Sequence, residues 1–417
     1  MSASAESQRK RALIVVSTIF FMWGFLTCLN DILIPHLKAV FSLSYTQSAL
    51  IQFTFFGAYF IMSLPAGSLV SKLGYKNSIS AGLLVAAIGA AFFIPAAKME
   101  SYPVFLFALF VLASGITVLQ VAANAYVTLL GSEETASSRL NLAQALNALG
   151  TTVAPKIGGL FILSAVVMSA DQIAALTMDE QIAYKTQQAQ AVQGPYTVLA
   201  IILLLLAIGM YLFKLPNLQE SKSSGQKSEA SFADAFKHSN LVLGVIALFL
   251  YVGAEVSIGS FLINFMAESH IMGVSESVAA GLVPFYWGGA LAGRFIGSFL
   301  MRKLNAAKLL GVAAVVATVL VAGAVTMSGP IAAYTLLAVG LFNSIMFPTI
   351  FSLGVRGLGA ATEKASSLLI MAIVGGAVVP LLQGVIADQA GLQHAFILPM
   401  VCYVFIAFYG FKESRRA

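Results

Sequence analysis

Charge is what this sequence has least of. Its 417 residues include 23 Lys and Arg and 17 Asp and Glu, so 10% are charged and 59% hydrophobic, where a soluble domain carries roughly 25% charged residues. That scarcity excludes an ordinary soluble fold. The net charge of +6 is carried by single basic residues scattered between apolar runs, so no basic domain forms and no nucleic-acid partner is expected. Cysteine is nearly absent: Cys28 and Cys402 both lie in apolar stretches, which leaves neither a disulfide framework nor a thiolate metal site. The four histidines, His36, His238, His270 and His394, are far apart and share no ligand spacing. There is no phosphate-cradling glycine loop, catalytic triad or metal signature, so neither an enzyme nor an ATP-driven machine is expected, and no cofactor.

What the chain has in abundance is long apolar runs. About 20 residues cross a bilayer at about 1.5 Å each, and twelve such spans can be drawn, at 12–38, 45–71, 77–97, 102–130, 137–167, 195–214, 240–267, 277–301, 307–327, 331–354, 364–388 and 392–412. The expected fold is an all-α membrane protein of twelve transmembrane helices in two six-helix bundles. Residues 1–214 form the first bundle and 240–417 the second. Between them lies 215–239, whose SKSSGQKSEAS reads as a flexible linker. The polar opening MSASAESQRKR precedes a hydrophobic segment too long for a signal peptide, so the first span is expected to remain uncleaved. A second polar stretch, 169–194, has a Gln/Ala-rich middle suited to a surface helix.

Orientation follows from Lys and Arg. With the N-terminus inside, 18 of the 23 basic residues fall on the inner side, Lys38, Lys98 and Lys185 on the outer side, and Lys156 and Arg294 within spans. Both termini and the linker are then cytoplasmic. For Lys156 the ordinary reading is a side chain that reaches the outer surface.

The halves repeat with an offset near 225. NALGTTVAPKIGG (Asn147 to Gly159) overlays AIVGGAVVPLLQG (Ala372 to Gly384), matching Gly150 with Gly375, Pro155 with Pro380 and Gly159 with Gly384. Such parallel repeats put a substrate site near mid-membrane between the halves. The same offset sets Asp31 of span one beside the counterpart of Glu255 in span seven, and Gln120 of span four near Asn343 of span ten.

Polar groups inside spans are costly and mark pathways. A carboxylate at mid-bilayer costs about 2.5–3.5 kcal/mol, and Asp31 and Glu255 are the two acidic residues placed well inside spans. Each can couple substrate movement to a cation. A carboxylate at a helix end that simply reaches headgroups is the plain alternative for Asp31, and a structural hydrogen bond or ion pair is the alternative for Glu255. The uncharged set comprises Asn30 and Gln120, Asn124, Asn141, Gln144 and Asn147, with Asn343 in the second half. Amides both donate and accept, which suits a hydroxyl-rich neutral ligand, though they also glue helices together. Among the aromatics Trp23, Tyr59, Phe285, Tyr286 and Trp287, the two tryptophans are singled out as surfaces for the apolar face of a sugar. Arg294, between Gly293 and Gly297, is a candidate gate, with snorkelling to the interface as the alternative.

At FFMWGFLTCLNDILIPHLK, QVAANAYVTLLG, RLNLAQALNALG and PTIFSLGVRGLG the chain resembles the fucose–galactose–glucose symporter family of the major facilitator superfamily, along nearly its whole length. The resemblance implies secondary active sugar uptake across the bacterial inner membrane. By motif it implies coupling and sugar binding at Asp31, Gln120, Gln144 and Asn147, with Trp23 as the aromatic of span one. Where the fucose–proton member has a glutamate this chain has Gln120, which cannot take up a proton. That change is similar to the glucose/galactose branch or to N-acetylglucosamine permeases, and it makes sodium a rival to the proton, with Asp31 as a candidate Na+ ligand. The superfamily loop after span two reads GSLVSKLGYK, with Ser71 where an aspartate is common.

The expected function is cation-coupled (Na+ or H+) symport of a neutral hexose, glucose or galactose first. N-acetylglucosamine or fucose–proton symport and sugar or drug efflux are the alternatives within transport, and a membrane sugar sensor without flux is the alternative outside it. The partners expected are the sugar, the coupling cation and the lipid bilayer, with the chain working as a monomer.

Overall fold

The computed structural model describes residues 3–41, 45–162, 172–173, 175–213, 215–216 and 231–416. Of the expected linker, 214 and 217–230 lie outside the described residues, as does most of the stretch 163–174. Among the described residues every regular element is helical, as a bilayer requires of a chain that must satisfy each backbone group within its own segment.

The helices are α1 (Ala3–Phe41), α2 (Tyr45–Lys98), α3 (Tyr102–Leu129), α4 (Ala136–Ile162) and α5 (Met178–Leu212) in the first half. The second half holds α6 (Ser239–Ala267), α7 (Val283–Leu300), α8 (Ala306–Thr326), α9 (Pro330–Asn343), α10 (Met346–Gly354), α11 (Thr362–Met371), α12 (Gly375–Ala390) and α13 (Ile397–Ser414). Helix α2 makes two passes, because Gly74 adopts φ +77 and breaks it, a conformation open to glycine at little cost. α9 with α10, and α11 with α12, each make one pass. Twelve passes result, as the hydropathy pattern indicates.

One boundary differs from the sequence reading. The sixth span starts not near 195 but at Met178, where Thr177 and Glu180 form a reciprocal cap, and the helix continues through Pro195. The Gln/Ala-rich stretch is thus the first part of this helix rather than a separate surface element. The cap signal T-x-x-E precedes a polar rather than an apolar run, which hides it from a hydropathy scan. Within the last part of the expected linker the chain forms a short helix, Phe232–Phe236, with a second reciprocal cap of Ser231 and Asp234. There the Lys237 ammonium (2.7 Å) and the Ser231 hydroxyl and amide hold the Asp234 carboxyl well below its usual range.

The internal repeat becomes a pair of equivalent seats. A Cβ on Gly150 would stand 2.2 Å from the carbonyl oxygen of Phe21, and one on Gly375 would stand 2.0 Å from that of Phe249. α4 therefore touches α1, and α12 touches α6, backbone to backbone. This corrects the repeat register. If Phe21 and Phe249 are counterparts, the structural partner of Glu255 is Thr27, and Asp31 lies one turn further along its helix, matching Gly259. Gly375→Leu is expected to lower the stability of the second half by about 1–3 kcal/mol, read as a reduced thermal midpoint in detergent. An unchanged midpoint would contradict the seat.

Candidate functional site

Midway along the passes, each half buries a layer of polar side chains. In the first half Gln120 Nε2 donates to Tyr59 Oη at 2.6 Å. Gln144 Nε2 donates to Asn124 Oδ1 at 3.3 Å, and Asn147 Nδ2 donates to the Phe20 carbonyl at 2.9 Å. Trp23 is buried against Phe20, with ring centroids 5.2 Å apart. Gln120, Asn124 and Gln144 are buried and Asn147 is half-buried. In the second half Asn343 Nδ2 donates to Tyr286 Oη at 2.7 Å, which repeats the amide-on-tyrosine pair of Gln120 and Tyr59. The sequence pairing of Gln120 with Asn343 thus has a structural counterpart in their two tyrosines.

Glu255 is half-buried, and its Oε1 accepts a 2.7 Å hydrogen bond from Tyr251. One turn along α6, on the same face, Gly259 is covered by the Trp287 indole, 3.3 Å from where a Cβ would stand. Trp287 is 45% exposed and meets Tyr286 edge-on. Tryptophan and carboxylate therefore share one wall of the layer.

Arg294 links the two sets. Its Nη1 donates to the Gln144 carbonyl of the other half at 2.9 Å, and its Nε donates to the Ser344 carbonyl at 3.3 Å. These two bonds hold the guanidinium at the layer between the halves, so this arginine does not snorkel to the interface. α1 carries Asn30 and Asp31 about 12 Å beyond Trp23 along its axis, but their side chains, like that of Lys156, lie outside the described residues. Asn141 departs from the amide set. It turns to the second half, donating to Thr349 Oγ1 at 3.3 Å.

To one side of this layer the halves are shut. α4 packs on α7 and α10, and α11 packs on α2 and α3. The seam is made of small hydroxyl side chains. Ser137 Oγ and Ser352 Oγ are 2.6 Å apart, and Ser138 and Ser298 each donate to the other's carbonyl, at 2.7 and 2.9 Å. Ser366 Oγ donates to the Val121 carbonyl at 2.7 Å, while Ser367 fills the space over Gly67. The altered loop after span two still docks: Tyr75 Oη donates to Glu363 at 2.8 Å. These hydrogen bonds between the halves lie at the polar layer or on this side of it, and the ion pairs of Asp234, Glu268 and Glu413 each lie within one half. The sequence reading missed these serines, although TASSRLNLAQ and TEKASSLLIM sit at nearly the repeat offset. It also missed Tyr251 as the partner of Glu255, which the four-residue spacing could have given.

Comparison with known proteins agrees with this architecture. The model of the Major Facilitator Superfamily matches residues 13–372. A glucose/galactose transporter of Brucella abortus is 54% identical over 413 residues, 99% of this chain and 96% of that protein. The L-fucose-proton symporter of Escherichia coli is 36% identical over 408 residues, 97% of this chain and 93% of that one. A crystal structure of the transporter FucP in the outward conformation superposes with a TM-score of 0.90 at 35% identity, covering 96% of this chain and 98% of that one.

Proposed function

Because the chain belongs to the major facilitator superfamily, we propose that its two halves, 1–214 and 240–417 joined by 215–239, carry a neutral hexose together with a cation by alternating access. Glucose and galactose are the first substrates, in keeping with the Brucella relative. The observation that carries this reading is the polar layer: amides held by tyrosines, with one half-buried carboxylate beside an exposed indole, above a closed seam.

The seam side carries the inter-helix loops with Lys72, Lys76, Arg302, Lys303 and Arg356, so the positive-inside rule makes it cytoplasmic. Both termini then face the cytoplasm of a bacterial inner membrane, and the layer communicates with the outside. Hexose hydroxyls exchange hydrogen bonds with Asn30, Gln120, Asn124, Gln144, Asn147 and Asn343, while Trp23 and Trp287 offer apolar faces to the ring. Asp31 and Glu255 carry the coupling cation. Gln120 stays neutral, which favours a cation held by carboxylate and amide oxygens, as at a Na+ site. Arg294 works as the gate, because its bond to the Gln144 carbonyl spans the halves and must break when they separate.

Uptake of labelled glucose, galactose, fucose and N-acetylglucosamine into proteoliposomes, under separate sodium and proton gradients, tests the reading. Glucose or galactose accumulation driven by one cation is expected, and absence of flux for all four sugars overturns it. Asp31→Asn is expected to lose uphill accumulation and keep equilibrium exchange. Undiminished accumulation would remove Asp31 from coupling.

A further inference from the structure

On the seam side the structure holds a cavity of about 740 Å3, within the range of small-molecule sites. Its walls come from both halves. The second half contributes four cations, Arg302, Lys303, Arg356 and Arg416, against one carboxylate, Glu413. Glu413 is wholly buried between Arg356 (3.4 Å) and Arg416 (3.1 Å), so a single acid is shared by two guanidinium groups. Among the described residues no ion pair holds Arg302 or Lys303, and the Lys303 ammonium lies 5.7 Å from the centre of the Phe299 ring. The opposite wall is acidic. Glu133 and Glu134, both exposed, stand in the turn that leads into α4. Ser137 and Ser352, whose hydroxyls meet across the seam, also line the cavity.

We propose that this cavity binds a phosphorylated sugar from the side that bears the linker, and that occupancy holds the two halves closed on that side. One wall presents unpaired cations suited to phosphate, and the other presents carboxylates that accept hydrogen bonds from sugar hydroxyls. Inorganic phosphate satisfies only the first wall and a free sugar only the second. A ligand touching both walls binds the closed arrangement better than the parted one, and by that difference it shifts the equilibrium toward closure. For a sugar importer this is feedback from the phosphoryl-transfer reaction that consumes its product. That consequence rests on the transport reading, whereas the binding does not.

The test uses the purified full chain. Glucose 6-phosphate, inorganic phosphate and glucose are titrated as probes by calorimetry, and the same probes are then enclosed on the linker side during uptake assays. Glucose 6-phosphate is expected to bind at least tenfold more tightly than inorganic phosphate, to stay bound when excess glucose fills the polar layer, and to slow uptake from the linker side only. Arg302→Gln with Lys303→Gln is expected to lose that binding tenfold or more with basal uptake unchanged. Glu133→Gln with Glu134→Gln is expected to bring glucose 6-phosphate down to the affinity of inorganic phosphate. Absence of binding, equal affinity for glucose 6-phosphate and inorganic phosphate, displacement by glucose, or undiminished binding in both variants overturns the proposal. Binding that persists in a protein without sugar flux would strike the transport reading and leave the site standing.

Discussion

Glu255→Gln is expected to collapse uphill sugar accumulation by about tenfold or more, a loss of at least ~1.4 kcal/mol of coupling, while equilibrium exchange of labelled sugar continues. The substitution is nearly isosteric, and glutamine can still accept the Tyr251 hydrogen bond that the carboxylate accepts at 2.7 Å. The helix face therefore keeps its shape and loses only its charge. The reverse change, Arg294→Met, removes the guanidinium that bonds the Gln144 and Ser344 carbonyls while the Glu255 carboxylate stays at membrane depth, so this variant is expected to show a lower thermal midpoint. Adding Glu255→Gln to that variant is expected to recover part of the lost thermal stability, because two neutral groups replace one stranded charge. Parent-like accumulation in Glu255→Gln would assign coupling to Asp31 alone, and absence of recovery in the double variant would deny the two residues any electrostatic link.

The second large effect concerns the seam. In the pair Ser137→Cys and Ser352→Cys, oxidation is expected to stop uptake almost completely, and a reductant is expected to restore it. The parent hydroxyl oxygens are 2.6 Å apart, so two sulfurs on the same carbons lie within reach of a disulfide of about 2.05 Å. A covalent link there prevents the halves from parting on the seam side, yet touches none of the amides, tyrosines or carboxylates of the polar layer. Each single variant is expected to transport with or without oxidant. Full uptake by the oxidised pair, with the crosslink shown on a gel, would mean that the halves need not separate at α4 and α10.

Much of this was legible in the sequence, and the parts that were not share a cause. Twelve passes and the glycine repeats at Gly150 and Gly375 follow from hydropathy and internal similarity, which act within a helix or between copies of one pattern. Gln120 and Asn343 could be paired by offset, whereas their tyrosines could not, because Tyr59 lies 61 residues from Gln120 and only the folded bundle brings them together. Asp31 and Glu255 looked equivalent because an offset taken from span five was applied to span one. The contacts of Phe21 and Phe249 show that the first helices run three residues out of that register, enough to move one carboxylate a full turn. The serines of the seam were passed over because a lone hydroxyl within a span is unremarkable until a second half supplies its partner.

The seam of hydroxyls has one more consequence. Solvent-exposed ion pairs across it would be screened, since the Debye length is about 8 Å at physiological salt, and a change of ionic strength would then reset the balance between open and closed arrangements. Here the contacts between Ser137 and Ser352 and between Ser138 and Ser298 are neutral and buried. These serine contacts carry no charge, so salt does not loosen them. The serine part of the closed arrangement is then the same at low and at high salt.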